Sequence, residues 1–286
     1  MARRKNSGRL GVPENPPDSN PPIAALEEKT DNLFSFVLPT EFVDLPSEGL
    51  QYKEGHALHG VSTIEIRHMT AKEEDILSSE SLLKKGVALD RLLQSVVVDK
   101  SIQVNELLVG DKNALLIAAR ITGFGPHYDA SVTCPSCYAT VPQNINLEDI
   151  EIKNLVLPSN VTPTEDGNYD IWIEKFDLTI TVRLLKGSDE KKVSKQREKR
   201  RKLKQPDADI TTQLSAIIVA VNGRSAPDAV RQFIEIMPAL VSRQIRAAYD
   251  ELVPNLDLTV DYECEACSYA GRVGLPMSAE FFWPGS

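Results

Sequence analysis

The stretches "TCPSCYA" (133–139) and "ECEACSYAG" (263–271) contain all four cysteines of this 286-residue chain. Each stretch holds one C-x-x-C pair, and 126 residues separate Cys137 from Cys264. Strand-like segments flank both pairs, which is typical of a β-hairpin whose tip carries the cysteines. The sequence therefore predicts two hairpin tips that face each other.

Two C-x-x-C turns provide the donor set of a structural zinc site. Such a site needs four soft ligands in a tetrahedron, each sulfur lying about 2.3 Å from the ion. The long separation does not oppose a shared site, because loop-closure entropy grows only logarithmically with length. We therefore expect one structural Zn(II) per chain in a zinc-ribbon-like arrangement, bound by Cys134, Cys137, Cys264 and Cys267.

Two separate redox pairs and unligated thiols are the alternatives to shared metal binding. Redox chemistry needs the first thiol of C-x-x-C at a helix N-terminus, and neither pair precedes a helical pattern. A zinc deaminase needs H-x-E, and none of the four histidines begins that motif. His127 lies seven residues before Cys134, and we expect it to support a turn or a ligand rather than to bind the metal.

The bulk composition limits the class of protein. Hydrophobic residues make up 42% of the chain, enough to bury a core, and the net charge of −9 argues against general affinity for nucleic acid or anionic membrane. Neither a signal peptide nor an apolar run of about 18 residues occurs, so a soluble intracellular protein is expected. The sequence carries no phosphate-loop, G-x-S-x-G or H-E-x-x-H signature, and no small-molecule substrate is expected.

The order of local patterns indicates an α+β protein, with helical domains, β-hairpins and the four-cysteine zinc-ribbon-like site. We expect a disordered proline-rich tail (1–32), a mostly helical N-terminal domain (33–125), the first zinc hairpin (126–150), a β-hairpin region (151–185), a basic segment (186–205), a helical region (206–254), and the second zinc hairpin with the C-terminus (255–286).

Alternation of apolar residues predicts the strands. In "VSTIEIRHM", Ile64 and Ile66 share one face, and "YDIWIEK" followed by "FDLTITVRLL" predicts a hairpin. The next segment, "TAKEEDIL", is expected to open a helix, with Thr70 and Glu73 as a capping box.

Helical spacing predicts the remaining elements. "GVALDRLLQSVV" is expected to be a helix, as is "GDKNALLIAARITGFG", with Asp111 as its N-cap and Gly123 as its stop. Three further helices are expected in "ITTQLSAIIVAVNG", "PDAVRQFIEIMP" and "ALVSRQIRAAYDELVP".

Residues 186–204 form a basic run of ten cations and three acids without an apolar stripe. It is a candidate contact with nucleic acid or an acidic protein surface, but no aromatic residue interleaves the cations, which favours a solvated helix or flexible excursion. The proline-rich tail and this run are expected to contact neighbouring subunits. Phe281, Phe282 and Trp283 are expected either to do the same or to close the chain's own core.

Five segments resemble the T4-type phage baseplate hub and hub-assembly protein family: "DLPSEGLQY", "IEIRHMTAKEEDIL", "LLKKGVALDRLLQSVV", "ELLVGDKNALLIAARITGFG" and "YDASVTCPSC". Together they span about residues 43–140. The resemblance implies a non-enzymatic protein of a contractile-tail baseplate, assembled in the host cytoplasm into the virion, with other baseplate and tail hub proteins as partners. It does not separate a hub component from an assembly factor.

Two other functions remain open from the sequence. One is a zinc-dependent nucleic-acid-binding module, which the acidic net charge does not favour. The other is a tail-assembly chaperone that is absent from the mature virion, which differs from a hub component only in its fate.

Overall fold

The computed structural model describes residues 38–204, 208–275, 277 and 279–282, and the folded unit begins at Thr40. The expected tail (1–32) lies outside the described residues. The described part is α+β, as predicted. Its eight helices are α1 Ala71–Ser78, α2 Glu80–Lys84, α3 Ala88–Val96, α4 Val109–Phe124, α5 Gly187–Lys202, α6 Asp209–Ile217, α7 Pro227–Ile236 and α8 Ala239–Leu252.

The strands of the described part form only small antiparallel sheets. Four sheets have two strands each and pair β1 with β2, β3 with β4, β5 with β10, and β11 with β12, while the fifth has the order β6-β7-β8-β9. The strands are β1 Thr40–Asp44, β2 Thr63–Arg67, β3 His127–Thr133, β4 Thr140–Asn146, β5 Ile152–Lys153, β6 Val161–Pro163, β7 Tyr169–Ile173, β8 Leu178–Val182, β9 Ile218–Val221, β10 Asn255–Leu256, β11 Thr259–Glu263 and β12 Ala270–Gly274.

The predicted β-hairpins are confirmed. Ile64 and Ile66 of β2 are buried on one face, as are Ile171 of β7 and Ile180 of β8, which pair directly with each other. Burial of one face explains why the alternation in the sequence was readable, since successive side chains of a strand point to opposite faces.

Two hydrophobic cores organise the folded unit. The first core takes its buried residues from 43–147 and 256–282, and the second core takes them from 161–252. Leu184 packs against both. The second core is therefore built from one continuous stretch of chain, while the first is built from two stretches on either side of it.

Strands β5 and β10 form a neck at which the chain passes from the first core into the second core and back. Lys153 pairs with Asn255 and Ile152 with Leu256, so the chain leaves the first core and returns to it at one place. The second core is thus an insertion. This topology removes most of the entropic cost of joining the two cysteine hairpins, because the insertion folds on its own core and closes the loop at the neck.

Charge, rather than apolar surface, docks the beginning of α5 onto the first core. Lys112 of α4 lies 3.1 Å from the carboxylate of Asp90 and 3.0 Å from that of Glu190. Lys191 lies 2.6 Å from the other oxygen of Asp90. The backbone N–H of Gly187 donates to the carbonyl of Leu107. The basic run is helical, and these contacts fix its first turns to the first core.

Two sequence-based boundaries are wrong. The helix expected in "ITTQLSAIIVAVNG" ends at Ile217, and β9 follows because its β-branched residues fit a pleated surface and place Ile218 and Ala220 in the core. Helix α4 continues past Gly123 to Phe124, and Gly125 is its C-cap. Gly125 has φ +81°, a conformation that glycine adopts without steric cost.

The aromatic end of the chain closes the first core. Phe281 and Phe282 are buried, so the second of the two expected roles is confirmed for them, while Trp283 lies outside the described residues. Arg120, also buried, holds this end in place, because its guanidinium donates to the carbonyls of Phe281, Gly125 and His127.

The expected capping box at α1 is present, and Glu73 has a larger role than capping. Its carboxylate accepts a hydrogen bond from the backbone N–H of Thr70 at 2.9 Å. It also accepts two from Arg67, at 3.0 and 2.7 Å, and one from the hydroxyl of Ser95 at 2.6 Å. The side chain of Glu73 is fully buried, so this network joins β2, α1 and α3.

Replacing Glu73 by glutamine is expected to destabilise the fold and to change its response to acid. Burial acts to raise the pKa of Glu73, but the donors from Arg67, Ser95 and Thr70 outweigh it and hold the pKa well below its ordinary value of 4.5. The folded carboxylate therefore stabilises the protein above about pH 4.5, and this contribution is lost as the pH falls. At about pH 7, Glu73→Gln should lower the free energy of unfolding by about 1.5–3 kcal/mol.

Denaturant titrations over a range of pH values measure this effect. The variant should lose less stability than the parent between about pH 5 and pH 3. Glu74→Gln is the matched control, since Glu74 is the exposed neighbour on the same helix. Equal acid sensitivity in Glu73→Gln and the parent would contradict the assigned role.

Candidate metal centre

The first cysteine pair lies in the tight turn that joins β3 to β4. Thr133 pairs with Thr140 at the end of this hairpin. The N–H of Cys134 donates to the carbonyl of Ala139 at 2.9 Å, and the N–H of Tyr138 donates to the carbonyl of Cys134 at 3.0 Å. These bonds fold the turn back on itself and leave both cysteine side chains on the same side.

The second pair repeats this geometry position by position. Glu263 pairs with Ala270 at the end of the β11–β12 hairpin. The N–H of Cys264 donates to the carbonyl of Tyr269, and that of Ser268 donates to the carbonyl of Cys264, both at 2.8 Å. Ser268 and Tyr138 occupy equivalent positions and have φ of +56° and +61°. The two turns therefore have the same backbone conformation.

The four sulfur atoms converge. Sγ of Cys134 lies 3.7 Å from Sγ of Cys267, and Sγ of Cys137 lies 3.7 Å from Sγ of Cys264. All four lie within 4.8 Å of one another. A tetrahedron with metal–sulfur distances of about 2.3 Å has edges of about 3.8 Å. The arrangement can hold one metal ion, and it brings together the four cysteines of the two C-x-x-C pairs.

The polypeptide around the sulfurs tunes their protonation. Burial opposes the thiolate of Cys134, but the backbone N–H groups of Cys137 and Ser136 favour it and lower its pKa. The side-chain hydroxyl of Tyr262 lowers the pKa of Cys264 to about 6. For Cys137 the amide of Ala139 acts to lower the pKa, but the adjacent thiol groups, that of Cys267 first, raise it to about 12. A divalent cation bound here would displace the protons that the four thiols share.

The centre is continuous with the first core. Cys134 and Cys264 are buried within it, together with Val132 of β3 and Tyr262 of β11, while Cys137 and Cys267 are exposed. One cysteine of each pair thus faces the core and the other faces solvent. An ion held here would fix both hairpins to the same apolar cluster.

His127 is far from the sulfurs. It pairs with Asn146 at the open end of the first hairpin, while the cysteines follow Thr133 at the other end. Six residues of strand correspond to about 20 Å. Its carbonyl accepts a hydrogen bond from Arg120 at 3.1 Å. His127 therefore contributes to closing the chain end and not to the metal centre.

A family model described as "T4 bacteriophage base plate protein" matches residues 40–283. This chain belongs to the T4 bacteriophage base plate protein family. The match extends beyond the segments near 43–140 and includes both cysteine pairs and the basic helix. No curated protein sequence and no solved structure matches the chain. Among the described residues of this base plate protein, no helix is long and apolar enough to cross a membrane.

Two segments that carried the family resemblance meet in a buried polar network. The carboxylate of Asp111 accepts hydrogen bonds from the hydroxyl of Tyr52 at 2.6 Å and from the hydroxyl and N–H of Ser47 at 2.7 and 3.0 Å. The hydroxyl of Tyr52 in turn accepts from the N–H of Leu108. Burial raises the pKa of Asp111 and that of Tyr52. The family segment "DLPSEGLQY" is therefore tied to the start of α4.

This network corrects one prediction and adds residues that the sequence did not identify. Asp111 is not the N-cap of α4, because the helix begins at Val109 and Leu108 occupies the capping position. Ser47, Tyr52 and Arg120 were not identified as contacts. The signal that could have identified Arg120 is a single cation within the apolar run "ALLIAARITGF".

Proposed function

We propose that this base plate family member is a non-enzymatic structural or assembly protein of the baseplate hub in a contractile-tailed phage. It acts through contacts with other baseplate and tail hub proteins. The family match over residues 40–283 carries this proposal. The two-core architecture supports it, because the two cores hold the surface elements around them in fixed positions.

We propose Zn(II) as the ion of the cysteine centre, one per chain, with a structural role. Four thiolates in a tetrahedron suit zinc or iron. Four protein ligands complete the coordination of zinc and leave no open position for a substrate, which supports a role in folding rather than in catalysis.

Elemental analysis of the purified chain tests the metal assignment. We expect about one zinc per chain and no stoichiometric iron. Substitution with Co(II) should give the visible absorption of a tetrahedral thiolate site, and an EDTA-treated sample should lose both the ion and much of its stability. A protein that is fully folded and free of metal would contradict the assignment.

Mass spectrometry of purified virions tests the place of the protein in assembly. Abundant peptides would identify a hub component, and their absence would identify a transient assembly factor. Phage that lack the gene should in either case fail to build the hub. Normal baseplates in that phage would contradict the proposal.

A further inference from the structure

A groove of about 700 Å³ lies beside α5, where this helix faces the corner between α2 and α3. The floor of this groove is aliphatic. The sequence of the basic run does not reveal this, because five of the six side chains that form the floor come from other parts of the chain. The floor consists of Leu77, Leu83, Leu89, Leu185, Val193 and Met277.

Unpaired cations border this floor. Residues 195–204 hold seven cations and one acid, Glu198. Arg197 is paired with Asp209, and Lys202 with Glu198. Within the described part of the chain, six other cations of the groove and its extension have no ion pair: Lys85, Lys195, Lys199, Arg200, Arg201 and Lys204.

The acids of the groove are already neutralised. Asp90 contacts Lys112 and Lys191, and Glu190 contacts Lys112. The free charge around the aliphatic floor is therefore positive. We call this surface, formed by the α2–α3 corner and residues 190–204, the cationic groove.

We propose that the cationic groove binds an acidic, amphipathic segment of a partner protein, whose apolar side chains enter the groove while its carboxylates meet the free cations. Helices with one apolar face commonly bind in such grooves, and complementary charge guides them there. This inference rests on the proposed function, because it identifies one surface through which a protein that works by contacts would bind its neighbour.

The surroundings of the groove favour a protein segment over nucleic acid. Among the residues that the structure describes, no aromatic side chain lines the groove, so bases have no surface there on which to stack. The run 186–204 carries a charge of +7, so the rest of the chain carries −16 of the total of −9. A long polyanion would extend over this acidic surface, whereas a short acidic segment would stay within about 10 Å of the cations.

Fluorescence anisotropy with defined probes tests the proposal on the full-length, zinc-loaded protein. The probe is a fluorescein-labelled amphipathic peptide with leucines on one helical face and glutamates on the other. We expect saturable binding that weakens about tenfold when serine replaces the leucines of the peptide. The triple protein variant with Lys195→Glu, Lys199→Glu and Arg201→Glu should also bind the leucine-containing peptide about tenfold more weakly than the parent does. Leu83→Ser should weaken this binding by a smaller factor.

A variant with the same change in charge provides the control. Lys53→Glu, Lys175→Glu, Arg243→Glu alters exposed cations outside the groove and should bind the peptide as the parent does. Thermal unfolding verifies that each variant is folded.

The proposal is overturned if the peptide does not bind, if the serine peptide binds equally well, or if a single-stranded oligodeoxynucleotide binds more tightly. Metal content and virion composition are measured separately, so its failure is distinguishable from that of the proposed function.

Discussion

Cys264→Ser should abolish stoichiometric metal binding and unfold the second cysteine hairpin. Three sulfurs and a hydroxyl bind zinc far more weakly than four thiolates, and the proposed ion would fix two hairpins that are otherwise two-stranded sheets. The binding free energy of a structural zinc is folding free energy, so we expect a loss of about 5 kcal/mol. Elemental analysis and denaturant titration measure the two effects.

The control for this variant is Glu265→Gln, which changes an exposed side chain between the two ligands of the same turn. It should keep its metal and its stability. Cys134→Ser should behave as Cys264→Ser does, because both pairs would bind the one proposed ion. Full metal content in either cysteine variant would refute shared ligation.

Gly110→Ala should destabilise the protein by about 3 kcal/mol or more, because it forces backbone apart at the neck of the insertion. A Cβ atom at this position would lie 2.0 Å from the carbonyl oxygen of Pro254 and 2.8 Å from Cα of Asn255. Both atoms belong to backbone that leads into β10, so no side-chain rotation relieves the collision. Thermal and denaturant unfolding should register this loss.

Gly123→Ala is the matched control on the same helix. Its added Cβ meets only the flexible end of Met69, which can turn away. Alanine also favours a helix over glycine by about 1 kcal/mol, so this variant should be neutral or more stable. Equal stability of Gly110→Ala and the parent would show that the neck does not require the close approach of α4.

Local patterns predicted what depends on local physics. The sequence predicted the capping box at Thr70 and the burial of alternate residues in β7 and β8. Both depend only on residues that lie two to four positions apart in the sequence. The closeness of the four cysteines could be predicted, because a pair of C-x-x-C turns is typical of a shared metal site. The long-range pairing of β5 with β10 was not, since two-residue strands carry no pattern.

The remaining errors have tertiary causes. Asp111 has the composition of an N-cap, but burial beside Ser47 and Tyr52 gives it a different role. The residues after Ile217 continue the apolar pattern of a helix. They nevertheless form a strand, because they pair with the edge of β8 that β7 leaves open. The aliphatic floor beside α5 comes from residues distant in sequence, so the basic run alone could not indicate it.

The insertion lies between the two cysteine turns in the sequence, so the ribosome completes the first turn well before the second. The two turns can therefore meet only late in synthesis. The ribosome makes 126 further residues after Cys137 before it reaches Cys264. At roughly 5–20 residues per second this takes about 6–25 s. Throughout that interval the nascent chain carries half of the proposed coordination shell, and its two thiols must stay reduced until the last hairpin emerges if the proposed ion is to be bound.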